Sequence, residues 1–108
     1  MHIAAVLTLE EQLIPSLEAL IQCFRELETR YKGIVKSGRT HLQDAVPISF
    51  SQEISGWRSS LETDLELIRA SIPPLSSLAL GGTAVGTGLN APKGFDTESA
   101  KAVSELTG

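Results

Sequence analysis

Between Val6 and Tyr31 an apolar residue recurs every three or four positions: Val6, Leu9, Leu13, Leu17, Leu20, Phe24, Leu27 and Tyr31. That period is the signature of an amphipathic α-helix. Sustained over residues 3–31, it makes a helix of about eight turns, longer than a typical globular one. A helix of that length with one apolar stripe has to lay it against other helices, in a bundle with a coiled-coil-like seam. Ile14 and Ile21 widen the stripe, and Cys23, within the same apolar pattern, is expected to be buried. Glu10, Glu11, Glu18, Arg25, Glu26, Glu28 and Arg30 form a solvated face. Pro15 removes one backbone hydrogen bond and crowds the carbonyl four residues back, so a kink is expected near Glu11.

Gly33 is a natural helix stop. A second helix opens at Pro47 and Ser49, where Ser49 and Gln52 match the capping-box pattern. Its stripe is Phe50, Ile54, Trp57, Leu61, Leu65, Ile68, Ile72 and Leu75. Pro73 and Pro74 either kink it or force a restart. Asp96 is a good N-cap for a short third helix with Ala100, Val103 and Leu106 on one face. The expected fold class is therefore all-α: two long antiparallel helices and a short third, part of a helical bundle. With 108 residues the chain holds at most one domain.

Two polar stretches interrupt the stripes. Gly38-Arg39-Thr40-His41-Leu42-Gln43-Asp44-Ala45 has no apolar period and reads as an irregular connection, after a brief extended piece at Ile34-Val35. Connections held by rigid helices are where chemistry is commonly placed. His41 is the one side chain there that ordinarily titrates near neutrality, which makes it the candidate for proton transfer. Downstream, Gly81-Gly82-Thr83-Ala84-Val85-Gly86-Thr87-Gly88-Leu89-Asn90 permits left-handed backbone and close approach. It is either an anion-binding concavity or a plain turn between helices. Its spacing fits neither a P-loop nor a dinucleotide-binding fingerprint.

Composition excludes several classes. A net charge of −4 offers no footprint for nucleic acid or for an anionic membrane surface. No apolar run approaches a membrane span, and the N-terminus is not a secretory signal. A single cysteine rules out an intrachain disulfide and makes a reducing compartment the default. His2, His41 and Cys23 have no metal-ligand spacing.

GRTHLQDAVP, the QE of SFSQE and the WRSSLE helix resemble the class II fumarases of the fumarase/aspartase superfamily. GGTAVGTGLN matches the same family in order and at a similar distance, and MHIAAVLTLEEQLIP resembles the start of one of its long helices. Ser51 stands where the family usually has Gly. The resemblance covers essentially the whole chain. It implies subunits several times longer, assembled as homotetramers around a central helical bundle, with sites built from three subunits. It implies a small dicarboxylate substrate, fumarate or L-malate, and no metal or other cofactor. Thr40 matches a residue that contacts the substrate carboxylate. His41 matches the histidine assigned to proton transfer through a bound water, with a glutamate partner elsewhere in the family's chain. No catalytic role is carried onto the glycine loop. A cytoplasmic location follows, or a mitochondrial one in a eukaryote.

On this resemblance residues 1–108 are an internal fragment of the central domain. The family's upstream serine/threonine motif and Ser-Ser-Asn segment would precede Met1, and its mobile loop with the catalytic serine would follow Gly108. The fragment alone is expected to be inactive, because a site lacking two of its segments cannot be preorganised. Two alternatives stay open: a fragment of an aspartate ammonia-lyase, and a non-catalytic helical module that self-associates through its uncovered stripes.

Overall fold

The computed structural model describes residues 1–108. The elements run α1 (His2–Thr8), a π-helical turn (Leu9–Leu13), α2 (Ile14–Arg30), β1 (Val35–Thr40), β2 (Gln43–Ser49), α3 (Phe50–Ser76) and α4 (Phe95–Thr107). The chain is mostly helical, but the all-α expectation needs correcting: an antiparallel hairpin stands between the two long helices. The chain divides into two compact units, residues 7–71 and residues 1–6 with 72–108.

The expected disturbance ahead of Pro15 takes the form of the π-helical turn. Pro15 has no N–H to offer the Glu11 carbonyl and its ring crowds that oxygen. The helix widens by one residue just before it, and the Ile14 N–H reaches back to the Leu9 carbonyl. The Ser16 hydroxyl donates to the Gln12 carbonyl at 2.7 Å, occupying one of the carbonyls the disruption would strand.

Within residues 7–71, α2 and α3 run antiparallel. Ion pairs record the direction: Glu18 meets Arg69, Arg25 meets Glu62 at 2.8 Å, and Glu28 meets Arg58 at 2.5 Å. Phe24 lies 6.2 Å from Trp57 and Tyr31 5.9 Å from Phe50, centroid to centroid. The buried residues of this unit are Ile14, Ile21, Ile54 and Leu65. The residues taken to widen the stripe are thus its inward seam, while Leu13 and Leu20 remain 40% and 42% exposed. A stripe this wide exceeds what one partner helix can cover. Cys23 is exposed, not buried: two residues on from Ile21, it falls on the side of the helix opposite the Ile14–Ile21 seam.

Glu62 takes hydrogen bonds from two guanidinium groups, those of Arg25 and Arg58. The Arg25 contact, ahead of the charge of Arg58, holds its carboxyl below the ordinary glutamate value against a smaller opposing effect of desolvation. Glu28 and Glu62 in turn hold the Arg58 guanidinium above its ordinary value. A lowered carboxylate pKa contributes stability above the ordinary glutamate range, and that contribution is lost as pH falls through the lowered value. Glu62→Gln is therefore expected to lower the thermal midpoint at neutral pH. The gap from the parent should close on acidification below the glutamate range. A gap that stays constant with pH would refute the assignment.

The first helix stops just ahead of Gly33: α2 ends at Arg30 with Tyr31 as its C-cap, and Gly33 follows in the turn with φ of +85°. The capping box at α3 is complete: the Ser49 N–H donates to Gln52 Oε1 at 2.9 Å and the Gln52 N–H to Ser49 Oγ at 3.1 Å. Pro73 and Pro74 neither restart the helix nor stop it at once; α3 runs through both and ends at Ser76. Two absent donors in one turn leave the Arg69 and Ala70 carbonyls without their helical partners, and the helix does not outlast them by a turn.

In the second unit, Gly94 rather than Asp96 caps α4, with φ of +83° and no side-chain cap bond. Asp96 and Glu98 sit inside the first turn, where their charges complement the helix dipole. Residues 82–88 form a closed loop, the Gly88 N–H donating to the Gly82 carbonyl at 2.9 Å.

Candidate active site

The polar stretch expected as an irregular connection is the tip of the hairpin. Its strands pair Val35 with Ser49, Lys36 with Ile48 and Ser37 with Pro47, then Arg39 with Asp44 and Thr40 with Gln43. The register slips by one between these sets, so Ala45 and Val46 together oppose Gly38. That is a β-bulge, and it explains the glycine: a Cβ on Gly38 would lie 2.6 Å from the Val46 carbonyl oxygen. Arg39 and Asp44 face each other just below the tip, 3.3 Å apart and both largely exposed.

The turn itself is His41-Leu42, with φ of +48° and +63°. Two successive left-handed residues closing a two-residue loop are the mark of a type I′ hairpin turn, which usually takes Asn and Gly. Histidine tolerates that region better than most residues; a leucine there is an outlier. Each such residue costs about 1 kcal/mol or more. Strain of this kind persists where the surroundings impose it, and it concentrates at functional positions.

The fold thus brings Thr40 and His41 together at one exposed end, on consecutive residues, with Thr40 closing the ladder and His41 starting the turn. Leu42, the other half of the turn, is fully exposed. An imidazole and a hydroxyl presented in this way can exchange a proton and donate a hydrogen bond to an anion placed above the tip. The glycine loop, residues 82–90, belongs to the other unit. No three of the His, Cys, Asp and Glu side chains converge as metal ligands would.

The sequence reading missed the residues that hold the hairpin in place. At its root the Lys36 ammonium donates to both carboxylate oxygens of Glu53, at 2.9 and 2.8 Å, and lies 5.3 Å from the Phe50 ring centroid. The Phe50 N–H donates to the Ile34 carbonyl at 2.8 Å. The one available signal was Gly38 inside a short extended run, a mark of a bulge.

A family model described as lyase matches residues 1–108. The chain is 52% identical over 107 residues to the class II fumarate hydratase of Photorhabdus laumondii. It is 47% identical over 108 residues to the mitochondrial fumarate hydratase of Dictyostelium discoideum. These alignments cover 99% and 100% of the chain but 23% and 22% of the relatives, so the chain spans about a quarter of their length. Among solved structures, the class II fumarase of Schistosoma mansoni superposes with a TM-score of 0.86 at 39% identity, over 98% of this chain and 23% of that one. A fumarate lyase:delta crystallin of Brucella melitensis gives 0.85 at 30% identity, over 98% and 23%. The chain belongs to the lyase family, and the relatives it matches within it include class II fumarate hydratases.

Proposed function

We propose that this chain is the hairpin-bearing segment of a fumarate hydratase, which interconverts fumarate and L-malate by adding and removing water. The observation that carries the reading is the strained His41-Leu42 turn, which sets Thr40 and His41 at an exposed tip. Removing the proton next to a carboxylate leaves that carboxylate in its aci form, with two negative charges on the one group. In this reading His41 moves that proton through a bound water, and the Thr40 hydroxyl donates to the substrate carboxylate. The remaining donors come from elsewhere in the full-length protein, and residues 1–108 alone do not turn over. The names of the relatives favour water over ammonia as the group eliminated.

The wide apolar faces support a homotetramer as the working assembly. Leu13, Leu20, Trp57 and Leu67 are each 40% exposed or more, and apolar surface of this extent is normally covered by a partner. The working location is the cytoplasm, or the mitochondrion in a eukaryote, with a role in the tricarboxylic acid cycle. The test is to purify the full-length protein, establish its assembly by sedimentation, and assay it on both substrates. Consumption of fumarate to malate by a tetramer, with no ammonia from L-aspartate, is expected. Ammonia release without hydration would replace this function by aspartate ammonia-lyase, and an active monomer would remove the assembly.

A further inference from the structure

We propose that Lys36 and Glu53 are positioning residues for His41: their ion pair fixes the root of the hairpin on α3 and so sets where the tip stands. The inference rests on the reading of His41 as the proton-transfer group and goes beyond it.

A two-stranded ribbon has little stability or stiffness of its own. Within residues 1–108, Arg39, Thr40, His41, Leu42, Gln43, Asp44, Ala45, Val46 and Pro47 are all exposed, so nothing in this segment packs against the outer half of the hairpin. The fixed points that this segment supplies lie at the root. There the ammonium is held by both oxygens of one carboxylate and stands over an aromatic ring. Both side chains of the pair are about two-thirds covered, 34% and 31% exposed. An ammonium gripped in this way has far less freedom than one in an exposed surface pair such as Arg39–Asp44, 74% and 67% exposed. Glu53 lies in the first turn of α3, beside the capping box and the Phe50 N–H bond to Ile34. The carboxylate therefore ties the strand to the capped first turn of the helix.

Leverage makes the tie matter. From Lys36 to His41 is five residues, about 16 Å along a strand. A tilt of about 4° at the root moves the tip by about 1 Å, and a displacement of that size can cost about a hundredfold in rate.

The test uses the full-length protein with Lys36→Met, Glu53→Gln and their combination, alongside His41→Asn. Each single change is expected to lower kcat at least tenfold with a smaller change in KM. The double variant should be no worse than either single, because both remove one contact. The pH dependence of kcat/KM should keep its shape, since His41 is displaced and not removed. Additive losses, or an unchanged kcat, would overturn the proposal. If the singles fail to fold, Lys36→Glu combined with Glu53→Lys rebuilds the pair. Recovery of melting temperature and of rate together supports positioning; recovery of melting temperature without rate overturns it. A full rate in His41→Asn would remove the underlying functional reading. An inactive His41→Asn beside a fully active Lys36→Met would remove only this inference.

Discussion

Replacing His41 by asparagine in the full-length protein is expected to lower kcat for fumarate–malate interconversion by about 10²- to 10⁴-fold, the usual range for losing a positioned general acid or base. Asparagine suits the test because it also tolerates left-handed backbone, so the turn at φ of +48° survives the change. It retains hydrogen-bonding groups but cannot take up a proton near neutrality. The substitution therefore separates proton transfer from turn geometry. KM should move much less than kcat, since the substrate carboxylate is assigned to Thr40 and not to the imidazole. An unaltered rate, with the variant folded as the parent, would refute the role given to His41.

The two long helices were legible because their apolar period runs for many turns and each end carries a local signal: Gly33 at one, the Ser49–Gln52 box at the other. The hairpin was not. Strand prediction rests on alternation between a covered face and a wet one. In β2 the first five residues, Gln43, Asp44, Ala45, Val46 and Pro47, are all exposed, so no alternation exists to be read. The bulge at Gly38 then shifts the register and breaks what pattern there is. The turn residues concealed it further, since His-Leu is a poor match to the sequences that close two-residue loops.

Burial was misjudged at Cys23 for a related reason. Periodicity identifies a wide apolar face, but not which part of that face meets the helix within the same chain. Ile14 and Ile21 took that contact. The resemblance, by contrast, points to Thr40 and His41 as candidates directly, because it rests on the side chains of the motif and needs no secondary structure. The structure adds the strain of the turn and the means of holding it, neither of which a motif expresses.

The glycine loop offers a second large effect, with its own control. Gly81 has φ of +85°, and a Cβ there would lie 2.6 Å from the Asp96 Cα and against the Asp96 Cβ at the start of α4. Gly86 has nearly the same φ, +81°, but a Cβ on it would meet nothing within 4 Å. The two positions thus share a conformational demand and differ in space. Gly86→Ala should cost about 1 kcal/mol, the penalty of a side chain in the left-handed region. Gly81→Ala carries that penalty and must also push back the backbone of α4, which does not yield as a flexible side chain would. A total of about 3 kcal/mol is expected, within the range of substitutions that overpack a backbone contact. In the full-length protein the thermal midpoint of Gly81→Ala should fall several degrees further than that of Gly86→Ala. Equal losses would mean that the first glycine serves the backbone angle alone, and that the close approach to Asp96 can relax without cost.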